Sequence, residues 1–202
     1  RLATEEPLVD EASGLGIPRD TARTVLARGA EPTMLTPAIR AFINEPSPII
    51  VAKASFVSRV HRRSHAEYIG VKRYDERGEV IGETRFVGLF TSEAYTRAAD
   101  EVPLIRRKIE NVKAAAPQGS RFSAKQLDSV LKTYPRDELF QISETDLARI
   151  SSGVLRLLLR PRTHLFIRRD RFDRYVSALL YTPRDSYTSE LRTRAHKMLA
   201  EA

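Results

Sequence analysis

His164-Leu-Phe-Ile-Arg-Arg-Asp-Arg-Phe-Asp-Arg-Tyr-Val-Ser-Ala-Leu-Leu-Tyr181 is the stretch on which the fold turns. Apolar and aromatic residues gather at its two ends, and charged, turn-forming residues fill its middle. The pattern predicts a strand over Thr163–Arg169, a turn over Asp170–Asp173 and a returning strand over Arg174–Tyr181. Upstream, Ser143 with Asp146 three residues on reads as a helix cap. Leu147, Ile150, Val154 and Leu158 then form one helical face. Downstream, Thr188 caps a helix carrying Leu191, Ala195, Met198 and Leu199 on one side. With Leu139-Phe-Gln-Ile142 taken as a short strand, residues 138–202 read β-α-β-β-α. One further strand would complete a ferredoxin-like unit. The chain stops where that strand belongs, begins with Arg1 and ends inside a helical pattern at Ala202. The expectation is therefore a piece of a longer protein.

Toward the N-terminus, Ser123-Ala-Lys-Gln126 is a capping box for a helix with Leu127, Val130, Leu131 and Tyr134, stopped by Pro135. A helix is expected over Asp100–Ala116, with Pro103 in its first turn and Val102, Ile105, Ile109 and Val112 on its buried face. Residues 49–92 change period. A run opens at Ile49-Ile-Val51, a second segment covers Tyr68–Asp75, Glu76–Glu79 reads as a turn, and Val80–Thr91 returns. Alternation at Val71/Arg73 and at Arg85/Val87/Leu89 predicts antiparallel strands. Gly70, Gly82 and Gly88 suggest bulges or close packing. Residues 1–48 look irregular, with short helices from Pro18 to Arg28 and from Thr36-Pro37. The class expected is α+β, antiparallel sheets with packed helices. Its divisions are a lead-in (1–48), strands plus a helix (49–116), a linker helix and hinge (117–137) and the incomplete ferredoxin-like domain (138–202).

The composition, 42% hydrophobic and 30% charged over 202 residues, is that of an ordinary globular chain. The longest apolar stretch, Val154–Leu159, is interrupted by Arg156, which excludes a transmembrane helix there. The first fifteen residues carry Glu5, Glu6, Asp10 and Glu11 and no apolar core, so no signal peptide is expected. Cysteine is absent, which removes thiolate chemistry and disulfides and fits a cytoplasmic location.

Little else in the sequence points to chemistry. Gly14 and Gly16 offer two glycines without the third of a dinucleotide fingerprint and without a preceding strand. No phosphate-cradling G-x-x-x-x-G-K-[ST] occurs. His61 and His65 stand four apart near Glu67, but in a strand or turn that spacing does not place both rings on one face, so a metal is not expected. No serine has a nucleophile-elbow context. The net charge of +8 is spread along the chain with interspersed acids, as on a solvated surface. The densest basic run holds Arg156, Arg160, Arg162, Arg168, Arg169, Arg171 and Arg174, with Phe166, Phe172 and Tyr175 among them. An RNA-recognition-like module is the alternative this run raises, but such a module would carry glycine between its aromatics where this strand reads Leu165-Phe-Ile167. Arginines that line an edge and face acids on a neighbouring domain or protomer are the expectation.

Several blocks resemble one family, the large bacterial NAD-dependent glutamate dehydrogenases. They are Ser58–Arg62, Tyr68–Arg73, Arg85–Ser92, Pro103–Lys108, Thr133–Ile142, Phe166–Asp170, Arg174–Ser177, Tyr181–Asp185 and Ser189–Arg192, in family order. The resemblance is dense over 49–192 and thin over 13–48. It departs at Arg171-Phe172-Asp173, where the family has Pro-Phe-Gly. The resemblance implies a region of ACT-like domains that precedes the catalytic core, and a parent that oxidatively deaminates L-glutamate with NAD. It implies no catalytic, cofactor-binding or metal-binding residue in this segment, with the NAD site beyond Ala202. The partners it implies are the rest of the same polypeptide, other protomers of a homo-oligomer and an amino-acid effector, with neither nucleic acid nor membrane. On this reading Arg136, Asp137, Arg168, Arg169 and Arg184, at strand ends or in loops, are the interdomain or effector contacts.

Overall fold

Alternation of apolar and polar residues builds the first of two compact units. The computed structural model describes residues 14–19, 45–117, 121–171 and 175–201. The lead-in helices expected between 20 and 44 lie outside these. The first unit holds the described residues up to Arg97 together with Asp170, Arg171 and Tyr175. Its sheet runs β1 (Ile49–Ser58), β2 (Ser64–Tyr74) and β3 (Val80–Gly88), antiparallel, with β2 in the middle. Ile50 pairs with Gly70 and Ala52 with Tyr68, so Ile50, Ala52, Ala54, Ala66 and Tyr68 bury one face. The register shifts between Lys53 and Val57 on one side of β2, and beside Gly82 on the other. The expected turn forms after Asp75, whose carboxylate accepts from the backbone N–H groups of Arg77 (2.9 Å) and Glu79 (2.8 Å). Gly78 there has φ 79°, a backbone that favours glycine.

Charged groups inside this sheet are paired. Glu67 is buried against Lys53 across the β1–β2 ladder. Tyr68 donates to Glu83 (2.5 Å), which also receives Arg85 (2.6 Å). Gly70 allows that arrangement, since a Cβ there would lie 2.6 Å from a Glu83 oxygen. His61 sits at φ 61° in the β1–β2 connection, and His65 Nδ1 lies 3.0 Å from the Ala54 carbonyl.

The second unit holds the described residues of 98–169 and 176–201. After the one-turn α1 (Glu93–Thr96) of the first unit come α2 (Pro103–Ala115), α3 (Arg121–Thr133), α4 (Arg136–Gln141) and α5 (Glu144–Leu159). The hairpin β4 (His164–Arg169) and β5 (Val176–Tyr181) and the helix α6 (Ser189–Glu201) follow. Most of the periodic apolar positions converge as expected: Ile105, Ile109 and Val112 from α2, Leu127, Val130 and Leu131 from α3, and Leu147, Ile150 and Val154 from α5 are buried, whereas Leu158 at the end of α5 and Met198 and Leu199 of α6 are exposed. Each large side chain so buried contributes roughly 1.5–3 kcal/mol. Pro103 opens α2 at its first turn, and the Ser143 hydroxyl caps α5 by accepting from the Asp146 N–H (3.0 Å). Thr188 caps α6 through the Leu191 N–H (3.0 Å). Helix α3 starts at Arg121, two residues ahead of the expected capping box.

One element differs. Leu139–Ile142, expected as a strand, belongs to α4 and its C-cap. Adjacent Leu139 and Phe140 are both buried, which a strand with one face open to water would not allow. The Lys108 ammonium of α2 donates to the carbonyls of Leu139 and Ile142 (2.7 Å each), satisfying acceptors that the end of a helix leaves open. The second unit therefore reads helices, then β-β-α. The antiparallel α+β class stands, with the hairpin and following helix of the incomplete ferredoxin-like unit formed. No helix among the described residues is long and apolar enough to cross a membrane.

Candidate functional site

Period-two alternation in β4 sends Phe166 and Arg168 inward and Leu165, Ile167 and Arg169 outward. Arg168 therefore enters a largely apolar interior and needs a partner. It finds Glu138 of α4: Nε and Nη2 donate to the two carboxylate oxygens at 2.9 Å each, and Nη1 donates to the Arg169 carbonyl (3.1 Å). The side chains are 7% and 13% exposed, so this is a two-pronged pair largely out of water. Tyr134 is buried beside it at the end of α3, and its hydroxyl has no hydrogen-bond partner among the described residues. Burial pushes the Tyr134 phenol well above its ordinary pKa; Glu138 and Tyr181 add to the rise, opposed by Arg168 and Arg149. Burial likewise raises Tyr181, whose ring meets Phe166 edge-on at 5.6 Å. The tyrosines are held as neutral phenols, and Arg168 with Glu138 forms a tie between β4 and α4.

The expected contact residues separate on this frame. Arg136 is the first residue of α4 and partly buried, Asp137 next to it is exposed, and neither lies at a strand end. Arg169 is exposed at the end of β4, and Arg184 is exposed in the short turn Arg184–Ser186 after β5. Arg168 is drawn into a buried pair with Glu138. Tyr134 stands on the helix face the sequence predicts, but neither it nor Glu138 is among the expected contacts, and Lys108, expected to face water, instead turns to the Leu139 and Ile142 carbonyls. Glu138 stands in the quoted Thr133–Ile142 block, but nothing local reveals that its partner lies thirty residues on. The aromatic that an RNA-recognition surface would display, Phe166, packs inward against Gly153 instead.

Comparison with known proteins divides the second unit between its helices and its hairpin. The family model for glutamate dehydrogenase, helical motif 1, matches residues 102–160, which hold α2 to α5. That for the glutamate dehydrogenase ACT2 domain matches residues 164–202, from β4 onward. The chain is 40% identical over 163 residues to a NAD-specific glutamate dehydrogenase of Halomonas elongata, which covers 79% of the chain and 10% of that relative. It is 35% identical over 162 residues to the one of Pseudomonas aeruginosa, covering 80% and 10%. To that of Mycobacterium tuberculosis it is 33% identical over 151 residues, covering 75% and 9%. The chain thus spans about a tenth of the length of these curated relatives.

Proposed function

The chain belongs to the glutamate dehydrogenase family, as a segment of a NAD-specific member, and on that premise we propose that it regulates and assembles its parent enzyme without performing chemistry itself. The observation that carries this reading is the Arg168–Glu138 pair. It joins the helical-motif segment to the ACT2 segment, so that a change in one is felt mechanically by the other. A buried pair of this kind holds only when both sides keep their geometry, because breaking it leaves an uncompensated charge. The outward face of the β4–β5 hairpin adds to the reading. Leu165, Ile167, Val176 and Leu180 are exposed there, an apolar surface suited to contact with further chain or another protomer.

The parent reaction is the oxidative deamination of L-glutamate to 2-oxoglutarate and ammonia, with NAD as hydride acceptor bound outside this segment, in the cytoplasm. Arg136, Asp137, Arg169 and Arg184 serve as interdomain or effector contacts, and Arg168 acts through Glu138. The test uses the full-length enzyme. Calorimetric titration with a panel of free amino acids, and light scattering of the Arg136→Glu variant, are compared with wild type. Saturable binding of one amino acid that Arg136→Glu weakens, or loss of the native oligomer in that variant, supports the reading. Unchanged assembly, activity and effector response in Arg136→Glu removes Arg136 from it. If Arg169→Glu and Arg184→Glu are equally silent, the regulatory reading fails.

A further inference from the structure

Helix α5 ends at Leu159, and the chain turns through Pro161 into β4. Glycine at 153 lets β4 press close to the helix: a Cβ there would stand 2.6 Å from the Phe166 ring. The turn beyond this contact leaves an open groove of about 530 Å³, lined by Arg156, Arg160, Arg162 and His164, with Gly153 and Phe166 among its apolar walls. Among the described residues no carboxylate lines it. Elsewhere in this unit arginines have found acids, Arg149 with Asp146 and Arg168 with Glu138. Arg156, Arg160 and Arg162 make no ion pair and no side-chain hydrogen bond among the described residues, and all three are exposed.

The plain reading is that these arginines compensate the negative end of the helix dipole. Arg156, in the last turn, already does that. Arg160 at the cap and Arg162 in the connection add two more positive charges around one concavity, where like charges repel and focus field lines on any anion. Guanidinium forks match the planar geometry of phosphate and carboxylate oxygens. The groove's volume falls in the roughly 300–1,000 Å³ range of small-molecule sites.

We propose that this groove binds a small multivalent oxyanion, a compound bearing two or more phosphate or carboxylate groups, through Arg156, Arg160 and Arg162. The site is distinct from the Arg168–Glu138 pair and stands whether or not the regulatory reading does. Because the groove is open to water, binding weakens as salt rises.

The full chain is titrated calorimetrically with tripolyphosphate and separately with tricarballylate, at low and at physiological ionic strength. Saturable one-to-one binding of either probe is expected, at least tenfold weaker in the triple variant Arg156→Gln/Arg160→Gln/Arg162→Gln. An Arg192→Gln/Arg194→Gln variant on exposed positions of α6 should bind as wild type does, and circular dichroism checks that both variants fold. Binding of tripolyphosphate alone assigns a phosphate ligand, and binding of tricarballylate alone or of both assigns a polycarboxylate-competent site. Absence of saturable binding at millimolar probe overturns the proposal. So does equal weakening in the two variants, which would show diffuse attraction to a basic chain.

Discussion

Gly153→Ala tests how closely α5 and β4 approach. The added Cβ would lie 2.6 Å from Cε1 and 2.7 Å from Cζ of Phe166. Carbon atoms in contact prefer about 3.5–4.0 Å, so the ring or the helix must yield by about 1 Å. Phe166 has little freedom to do so. It is buried, with His164 edge-on at 4.5 Å and Tyr181 at 5.6 Å. Overpacking of this sort costs about 1–3 kcal/mol. Against it stands the gain of alanine over glycine in a helix interior, about 1 kcal/mol. The net expectation is destabilisation by about 1 kcal/mol, read as a lower urea midpoint at unchanged slope, followed by far-UV circular dichroism. In a Phe166→Leu background the clash is gone and only the helix term remains, so the same substitution should stabilise by about 1 kcal/mol. The sign reversal, a coupling of about 2 kcal/mol, is the signature of the close approach. Stabilisation by Gly153→Ala in both backgrounds would refute it.

Three further outcomes follow from the same unit. Arg168→Leu leaves Glu138 buried without its fork and should cost about 3–5 kcal/mol in urea unfolding, with Arg168→Leu/Glu138→Leu recovering most of it; a double-variant loss equal to the sum of the two single losses would show the pair to be uncoupled. Lys108→Met removes charge-assisted hydrogen bonds, worth about 1.5–3 kcal/mol each, from the end of α4. Amide hydrogen exchange across Arg136–Ile142 should accelerate, and unchanged exchange would mean that the ammonium does not hold that helix. Asp128 is held below its ordinary pKa of 3.8 by the hydrogen bond from Lys113, with Lys132 helping and burial opposing. A carboxylate depressed in the folded state stabilises above its unfolded pKa and loses that contribution as pH falls through the folded one. The thermal midpoint should therefore drop below about pH 4, and Lys113→Met should flatten the drop; an identical profile in the variant would remove Asp128 from the account.

Much of the architecture was legible because it rests on short-range rules. The paired strands β4 and β5, the Ser143 and Thr188 caps and the turn after Asp75 are written in residue types and spacings a few positions apart. The family blocks were legible for the same reason, being local runs of sequence. The stretch 139–142 misled because its helix is short, and what steadies it is Lys108, more than thirty residues earlier. Proline followed by Asp137 and Glu138 was the available signal, since acids suit a helix's first turn. At the candidate site, an inward charge in β4 was foreseeable from alternation, but its partner was not.

Periodicity and capping chemistry, which act within a turn or a pleat, let the sequence alone determine the longer helices, the antiparallel strands and the α+β class. Tertiary structure alone decided which charges are neutralised and which face open space. Arg168 meets Glu138 inside, while Arg156, Arg160 and Arg162 ring a groove without an acid. The three-dimensional approach of distant segments sets the distance between charges and their exposure to water, and on these their energies depend.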